Sequence, residues 1–339
     1  MIAQAGRAAV DTRVMLRRLA LVLAAVLGTG GLATPAAPAA AASGSCLPTG
    51  GGPACQTWTG RVVRVGDGDT VLVDITGDGR DNPRWIRLVN VQAMELTVYS
   101  SVAARRRGQC HAVNAAARVE QLIRAGGGVV RLTAQHASSS SKNRPLRSVQ
   151  VRINGVWRDI GLDLLSRGLT LWQPFKGEYA WNATYRAAEA RAAQNGLNLF
   201  DTDACGSGPS QHAPITAFVN YDAEGLDDQN LNGEYVRLDN PSASAVPIGG
   251  WWVRDSGLRR YTFRAGSAIP AGGSVYVHVG KGKDTATHKY WGLTTPVFDN
   301  PTDDAQALGD GAYLFDPKGD MRAWMLYPVA GTVGDRSPA

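Results

Sequence analysis

The sequence lacks the features that mark several large classes of protein. Its 339 residues include only four cysteines and no Cys-x-x-Cys pair, so a thiolate metal site is not expected. After residue 32, no apolar run has the length of a membrane-spanning helix. Strand patterns in the first half are not followed regularly by helix patterns, which argues against a doubly wound sheet, and the second half has no helical period of useful length.

The N-terminus has the pattern of an export signal. Three arginines within residues 13–18 precede the apolar run 19–32, and the alanine-rich stretch 39–42 offers a small-residue cleavage site. The apolar run is short and interrupted by glycine, which is not typical of a membrane anchor. We therefore expect residues 1–42 to be a signal peptide and the mature protein to be secreted, with no transmembrane segment. A start at Met15 would leave a shorter signal of ordinary form.

All four cysteines follow this segment, and an even number of cysteines in an exported chain predicts two disulfides. Four cysteines allow three pairings. The favoured one joins Cys46 to Cys55, which closes a Gly/Pro-rich loop, and Cys110 to Cys205, which ties a helix start to the end of the first domain.

Charge is divided unevenly along the chain, whose net charge is +6. Residues 57–203 carry 20 Lys and Arg against 13 Asp and Glu, whereas residues 212–339 carry 11 against 15. The first half is therefore the part suited to a polyanion. Its run Arg105–Arg107 is interpreted either as a phosphate-tracking patch or as an exposed basic loop without a partner.

The first half predicts a mainly β fold with a few helices. Five strands are predicted, over Arg61–Val65, Val71–Val73, Trp85–Val91, Val129–Ala134 and Ser148–Ile153. Helices are predicted over 109–124, 162–167 and 185–194. Asn182 is the expected N-cap of the last helix, and Gly168 the left-handed residue that ends the one before it. Five strands and three helices in this order predict a small closed barrel.

Changes in composition divide the mature chain into segments. The predicted segments are a disulfide-stapled leader (43–56), the barrel domain (57–205), a Gly/Ser/Pro-rich linker (206–213), a second domain (214–329) and a tail (330–339).

The chemistry of the first domain is expected at the acidic turn Gly66–Thr70. Asp67 and Asp69 lie in this turn between two strands, and the third strand carries Arg87 and leads to Glu95. Two aspartates, an arginine and a glutamate at the ends of neighbouring strands form a cluster that suits a hard cation and a phosphate. The alternatives are that the turn is ordinary hairpin punctuation and that Arg87 forms an ion pair within the barrel, for example with Glu95.

Five motifs in order extend this pattern. They are Gly66–Thr70, Ile86–Val89 with Glu95, Asn143–Arg147, Leu164–Leu169, and Ala188–Ala190 with Gly196-Leu197. Over about residues 57–201, this ordered set resembles the thermonuclease family, whose domain is an oligonucleotide-binding (OB) barrel of staphylococcal-nuclease type. The resemblance implies a calcium-dependent phosphodiesterase, that is, an endonuclease-like hydrolase of DNA and RNA.

The resemblance also implies a role for individual residues. Asp69 matches the calcium-binding aspartate, Arg87 the arginine that clamps phosphate, and Glu95 the glutamate that positions or activates water. Arg144 matches the second arginine, which stabilises the transition state. Asp67 matches a supporting acid.

This chain departs from the family pattern before the glutamate, where Gln92 stands in place of a metal-binding aspartate. An amide oxygen can coordinate calcium but adds no charge, so the expected metal site is weaker or altered. Asn143 replaces a glycine and tolerates similar backbone angles. Thr70 is a further supporting residue, and Arg147 is the alternative to Arg144 if the register has slipped.

The second half predicts a β-sandwich. The strand-like runs are Ile215–Val219, Glu234–Leu238, Gly250–Arg254, Tyr261–Arg264, Ser274–Val279, Ala312–Phe315 and Ala323–Tyr327. The segments 233–240, 248–255 and 308–310 resemble a lamin-tail domain, which is an immunoglobulin-like sandwich, over about residues 214–328. Of the neighbouring Trp251 and Trp252, one is expected in the core and the other on a surface that contacts DNA, glycan or envelope material.

An acidic loop lies between residues 222 and 234. Its acids are interpreted as solvated, with a calcium site as the alternative.

Taken together, the patterns predict a secreted, metal-dependent nuclease whose barrel hydrolyses DNA or RNA and whose sandwich localises it. The alternative is a catalytically degenerate barrel that binds nucleic acid or an envelope ligand, which Gln92 favours. A scaffold protein built on the sandwich is a third possibility.

Overall fold

The computed structural model describes residues 42–50, 52–96, 109–301 and 309–328. The predicted signal peptide up to residue 41, the run Arg105–Arg107 and the tail 330–339 lie outside these ranges.

The first domain is built on a closed five-stranded barrel compatible with an OB fold. Its strands and their small additions are β1 (Ala42–Ser45), β2 (Ala54–Val65), β3 (Thr70–Ile75), β4 (Arg84–Leu88), β5 (Val91–Ala93), β6 (Val129–Ala134), β7 (Ser140–Ser141), β8 (Arg144–Ile153), β9 (Val156–Asp159) and β10 (Thr170–Trp172). The order β2-β3-β4-β8-β6 closes because β6 also pairs with β2. All pairs in this ring are antiparallel except β4 with β8. The prediction of a closed barrel is confirmed.

Three α-helices pack against this barrel: α1 (Ala112–Ala125), α2 (Ile160–Ser166) and α3 (Asn182–Gln194). Single 3-10 turns cover Tyr179–Trp181 and Asn198–Phe200. In the described part of the chain, no helix is long and apolar enough to cross a membrane.

The ends of α2 and α3 test two predicted caps. Gly168 has φ +63° after α2, as predicted, and the Leu169 N–H donates to the Leu164 carbonyl oxygen at 3.0 Å, as in a Schellman cap. The prediction that Asn182 is an N-cap is wrong. The preceding 3-10 turn runs straight into α3, so Asn182 is already helical, and its Oδ1 accepts a hydrogen bond from Asn90 Nδ2 at 3.0 Å.

The segment before the barrel is part of the sheet. Residues 43–56 were predicted as a disulfide-stapled leader, and their ends also form strands: β1 pairs antiparallel with the start of β2, from Ala42 opposite Thr57 onward. The disulfide Cys46–Cys55 joins the ends of these two strands, and Cys110–Cys205 is formed as well. Both predicted pairings are confirmed.

The second domain is a sandwich of two four-stranded sheets. Its strands are β11 (Thr216–Asn220), β12 (Tyr235–Asn240), β13 (Val246–Pro247), β14 (Trp252–Arg254), β15 (Arg260–Thr262), β16 (Ala268–Ile269), β17 (Gly273–His278), β18 (His288–Tyr290), β19 (Asp310–Phe315) and β20 (Met321–Tyr327). One sheet has the order β11-β12-β17-β18 and the other β15-β14-β19-β20. Sequence analysis missed β13, β16 and β18, which are only two or three residues long.

The two neighbouring tryptophans have different surroundings. Trp251 is in the sandwich core, as expected for one of the pair. Trp252 is half-buried, with its ring stacked on Phe315 at 5.5 Å and the Arg260 guanidinium 5.1 Å from its centroid. Trp252 therefore already has contacts within the chain, and its role as a contact surface stays a prediction.

A third group of buried apolar side chains joins the barrel domain to the sandwich. Met94 and Phe200 of the first domain pack with Tyr313 and Phe315 of the second. The rings of Phe200 and Trp324 lie 5.3 Å apart, edge to face. Burial of aromatic side chains is the largest single source of stabilisation at such contacts.

Polar contacts accompany this third core. The Tyr313 hydroxyl donates to Glu189 Oε1 at 3.1 Å, and both groups are buried. Arg322 Nη1 donates to the Gln211 carbonyl oxygen at 2.8 Å. Residues 206–213 therefore run between two parts of the chain that are packed together.

Candidate active site

The acidic turn is shaped by its packing against α1. The Asp69 N–H donates to Asp67 Oδ1 at 3.0 Å, which fixes the turn from within. A Cβ at Gly68 would lie 2.6 Å from the Cβ of Ala115 and 2.8 Å from that of Ala93. Only glycine fits at this position, because any side chain would push the turn away from the helix.

Asp69 is 2% exposed, and its carboxylate is saturated by internal donors. Oδ1 accepts from Arg87 Nη1 at 2.6 Å and from Thr70 Oγ1 at 2.8 Å. Oδ2 accepts from the Ala93 N–H at 2.8 Å. Arg87 thus forms an ion pair within the barrel, as one of the alternatives predicted. Its partner is Asp69, whereas sequence analysis gave Glu95 as the example.

Gln92 completes this arrangement. Its Oε1 accepts from Arg87 Nη2 at 2.7 Å, and its Nε2 donates to the Ala93 carbonyl oxygen at 2.9 Å and lies 3.5 Å from Asp69 Oδ2. A guanidinium is only a donor, so the amide oxygen must face Arg87. The amide N–H groups consequently face the two oxygens of Asp69 and Ala93.

This arrangement does not fit the calcium ion that the resemblance implies. Calcium takes about six to eight oxygen ligands, but the oxygens of Asp69 already accept from four donors and Gln92 turns N–H groups toward them. Burial, followed by the neighbouring Asp69 carboxylate, raises the pKa of Asp67 to about 7. Asp67 and Asp69 therefore offer a cation little carboxylate charge.

Other groups of metal-ligating side chains are scarce in the described part of the chain. The one group of three such residues with ligand atoms close together is Cys110, His111 and Cys205, whose two sulfurs form a disulfide. In the acidic loop of the sandwich, Asn300 Nδ2 donates to Asp227 Oδ2 at 2.9 Å and to Asp222 Oδ1 at 3.4 Å. These two loop acids are thus hydrogen-bonded within the loop, and the choice between solvated acids and a calcium site stays a prediction.

A surface cavity of about 690 Å³ lies beside the Asp69–Arg87 pair. Its lining residues come from both domains: Asp67, Arg87, Gln92, Glu95, Ser141, Lys142, Arg144, Gln173 and Phe175 from the first, and Asp255, Gly257, Leu258 and Arg259 from the second. Five residues that sequence analysis selected line this one cavity: Asp67, Arg87, Gln92, Glu95 and Arg144. The other three, Asp69, Thr70 and Arg147, are not among its lining residues. Its volume is typical of ligand sites.

Arg144 is placed by a tight hairpin. The two-residue turn between β7 and β8 has positive φ at Lys142 (48°) and Asn143 (63°), as a type I′ turn requires. Asn143 therefore has the left-handed backbone that the glycine comparison predicted. Arg144 Nη1 donates to Thr70 Oγ1 at 3.1 Å. Within the described residues, no carboxylate forms an ion pair with Lys142 or Arg144, so both cations are available to an anion.

Glu95 follows β5 at the other side of the turn. Its N–H donates to Gln109 Oε1 at 2.8 Å, and its carbonyl oxygen accepts from the Gln109 N–H at 3.0 Å. The backbone is thus held in place, while among the described residues no donor contacts the carboxylate. A half-buried, unsaturated carboxylate is the group that can accept a proton from water.

Arg147 is placed outside this cavity. It is 5% exposed and donates to the carbonyl oxygens of Ala137 at 2.8 Å and Ser139 at 3.2 Å, with its guanidinium 4.3 Å from the ring centroid of Trp58. Burial lowers its pKa to about 10. Its selection as an alternative to Arg144 is corrected: Arg147 supports the loop before the β7–β8 hairpin.

Sequence analysis missed several residues of the cavity. Lys142 immediately precedes the Asn143–Arg147 motif, and its position next to this motif was a signal that could have identified it. Gln173 and Phe175 follow β10 without any local signal. The sandwich residues 255–259 reach the cavity only through the third core, which no local pattern indicates.

Comparison with known proteins identifies the second domain. Residues 215–328, about a third of the chain, match the model of the Lamin Tail Domain family. No curated protein matches the chain.

Proposed function

We propose that this chain is a secreted nuclease that hydrolyses phosphodiester bonds of DNA or RNA, with the active site on the staphylococcal-nuclease-like barrel and the lamin-tail sandwich as an accessory domain. The observation that carries the proposal is the meeting of Arg87, Glu95 and Arg144 at one surface cavity of about 690 Å³. Export is supported by the N-terminal pattern and by the two disulfides.

The chemistry needs positive charge where negative charge grows. Attack of water on a phosphodiester concentrates charge on the nonbridging oxygens and the leaving oxygen, and fixed cations stabilise it there. Arg144 and Lys142, neither paired with a carboxylate in the described residues, supply these cations. Arg144 also presents the planar fork that binds phosphate oxygens in pairs.

Arg87 contributes differently from Arg144. Its two Nη groups are held by Asp69, Gln92 and the Val91 carbonyl oxygen, whereas its buried Nε–H has no acceptor in the described part of the chain. A buried donor without a partner costs about 1–3 kcal/mol. Arg87 therefore adds positive charge to the wall of the cavity, with its two Nη groups already occupied.

Glu95 is the residue that accepts the proton of the attacking water. It lies on the wall of the cavity that holds Arg144, and no described donor occupies its carboxylate. Because the residues around Asp69 do not fit calcium as they stand, calcium enters as an arm of the experiment and not as a step of the mechanism.

The test is cleavage of single- and double-stranded DNA and of RNA by the mature protein, with chelator, with calcium and with other divalent ions, at several pH values. We expect cleavage by the wild type and a loss of about 100-fold or more in Glu95→Gln and Arg144→Gln. Arg152→Gln is the matched control, because Arg152 is exposed on the same strand and does not line the cavity. No cleavage by the wild type under any condition would remove the enzyme claim.

A second candidate, a barrel that binds nucleic acid without cutting it, is favoured by the saturated Asp69 and by the amide at Gln92. Binding of labelled oligonucleotides without cleavage by the wild type would support this candidate. Binding lost in Arg144→Gln but kept in Glu95→Gln would place it at the same cavity.

A further inference from the structure

One wall of the cavity is supplied by the sandwich. Asp255, Gly257, Leu258 and Arg259, from the turn between β14 and β15, line the same space as Arg144 and Lys142 of the barrel domain. A domain that only localised a nuclease would not need to reach its active site. The position of this turn therefore indicates that the sandwich takes part in substrate binding.

The turn is held firmly against the strand end that leads to Glu95. Arg254 is 4% exposed; its Nε donates to the Asp255 carbonyl oxygen at 3.0 Å and its Nη2 donates to the carbonyl oxygens of residues 256 and 257. Its Nη1 contacts the sulfur of Met94 at 3.4 Å. Because Met94 immediately precedes Glu95, the buried guanidinium links the turn to the site, and the third core around Met94 keeps this link in place.

Arg259 presents its guanidinium at the rim of this wall. Its backbone N–H and its Nη1 donate to the buried Asp255 carboxylate at 3.1 and 3.0 Å, while the Arg259 side chain is 49% exposed. The pair fixes one end of the guanidinium. In the described part of the chain, Nε and Nη2 have no acceptor, so one edge of the fork remains for a phosphate.

We propose that Arg259 binds a backbone phosphate of the nucleic-acid strand next to the phosphate held at Arg144, so that the substrate site spans both domains. This inference rests on the proposed function and deepens it, since it assigns to the sandwich a contact with the substrate. One strand then meets cations on both walls of the cavity. Truncated barrels without the sandwich would lose this second contact.

The experiment measures affinity in a chain that cannot cut. In a Glu95→Gln background, the full mature chain is titrated against fluorescein-labelled 12-nucleotide DNA and RNA, and anisotropy is followed at several salt concentrations. We expect Arg259→Gln to weaken binding about 5- to 10-fold, as for a partly screened charged hydrogen bond. The slope of log K against log[salt] should fall by about 0.7–0.9, the value for one lost phosphate contact.

Arg264→Gln is the matched control. It makes the same charge change in the same sandwich, and Arg264 is exposed and does not line the cavity. We expect its affinity to stay within about 2-fold of the parent, with an unchanged salt slope. Equal effects of the two variants would overturn the assignment. They would show that affinity depends on the total charge of the sandwich and not on a contact made by Arg259.

Folding of each variant is checked by thermal unfolding, because Arg259→Gln removes the cation that forms an ion pair with the buried Asp255. If that variant does not fold, Arg259→Lys keeps the charge but not the fork. The affinity of Arg259→Lys should fall about 2- to 3-fold, because lysine keeps the charge but loses part of the hydrogen bonding, and the salt slope should not change. An unchanged affinity would contradict the proposal.

If the parent binds no oligonucleotide, the proposed function itself fails. Binding without cleavage in the wild type leaves the assignment of Arg259 intact.

Discussion

At the scale of single residues, the chemistry of this site turns on Gln92. A carboxylate at this position would face Asp69 and repel it, and a cation between the two would relieve the repulsion. The amide reverses the situation, because its N–H groups approach the same two oxygens that a cation would use, those of Asp69 and Ala93. The internal ion pair of Asp69 with Arg87 then supplies the remaining positive charge.

The exchange Gln92→Asp is therefore expected to create a calcium response that the wild type lacks. Aspartate removes the N–H donors and adds a second carboxylate beside Asp69, which are the ligands that calcium prefers. Millimolar calcium should raise the melting temperature of this variant by at least about 2 °C, the shift that about 1 kcal/mol produces in a chain of this size. The measurement is thermal unfolding with calcium or with chelator.

Gln92→Asn serves as the control, since asparagine has the length of aspartate without its charge. It should show no calcium response. A wild-type chain that already gains several degrees from calcium would contradict the account of the amide given above.

At the scale of elements, α3 and β19 are joined by a buried acid. Glu189 of α3 accepts hydrogen bonds from the Trp172 N–H at 3.0 Å and from the Tyr313 hydroxyl at 3.1 Å. Burial raises the pKa of Glu189 to about 8. The folded chain therefore keeps the proton at pH values where the unfolded chain has released it.

This contact predicts a stability that falls as the pH rises. Between about pH 4.5 and 8 the folded state binds one more proton than the unfolded state, so the contribution of Glu189 is complete below this window and is lost through it. Glu189→Gln imitates the neutral acid and does not titrate. The free energy of unfolding of this variant should therefore fall less steeply with pH than that of the wild type, by up to about 1.4 kcal/mol per pH unit. The measurement is urea unfolding of both chains at pH 5, 6, 7 and 8.

The exposed Glu224→Gln is the control for this series and should follow the wild type at every pH. If the stability difference between wild type and Glu189→Gln were the same at pH 5 and pH 8, Glu189 would be ionised in the folded protein.

Elements whose conformation is set by residues close to them in the sequence could be predicted. β6 was predicted with its observed bounds because a glycine run precedes it and the polar residues 135–143 follow it. The left-handed Gly168 and Asn143 were predicted from local backbone preferences. Asn182 was mistaken for a cap because the 3-10 turn that precedes it depends on tertiary contacts, here with Asn90.

The site was predictable to the same extent. The acidic turn, Arg87, Glu95 and Arg144 lie near strand ends, and strand pairing alone brings those ends together. The partner of Asp69 was not predictable. Whether its carboxylate binds a metal ion or the Arg87 guanidinium depends on distances of a few tenths of an ångström. Arg259 was out of reach, since it is more than 100 residues from Arg144 along the chain and approaches through packing between domains.

At the scale of the whole molecule, two folds that look separate in sequence share a core. The barrel and the sandwich fall in one compact unit, and Phe200, Tyr313 and Phe315 are buried between them. Interfaces of this apolar kind restrict relative motion of the domains. The turn that carries Arg259 can form a lasting wall of the site only if this core is intact.

We therefore expect the two domains to unfold together. The wild type should show one calorimetric transition, and Phe200→Ala should cost about 3–5 kcal/mol, as for other buried phenylalanines. Phe218→Ala is the control, because Phe218 is half-buried under Arg237 on the β11-β12-β17-β18 sheet and is not part of the third core. It should cost less than about 1.5 kcal/mol.

The same variant tests whether the shared core serves the site. Loosening the core at Phe200 frees the sandwich turn from the cavity, so Phe200→Ala should weaken oligonucleotide binding as much as Arg259→Gln does, while Phe218→Ala should leave it unchanged. Two separate transitions in the wild type, with Phe200→Ala shifting only the one that belongs to the barrel, would show that the domains unfold independently. The wall supplied by Arg259 would then have no rigid support.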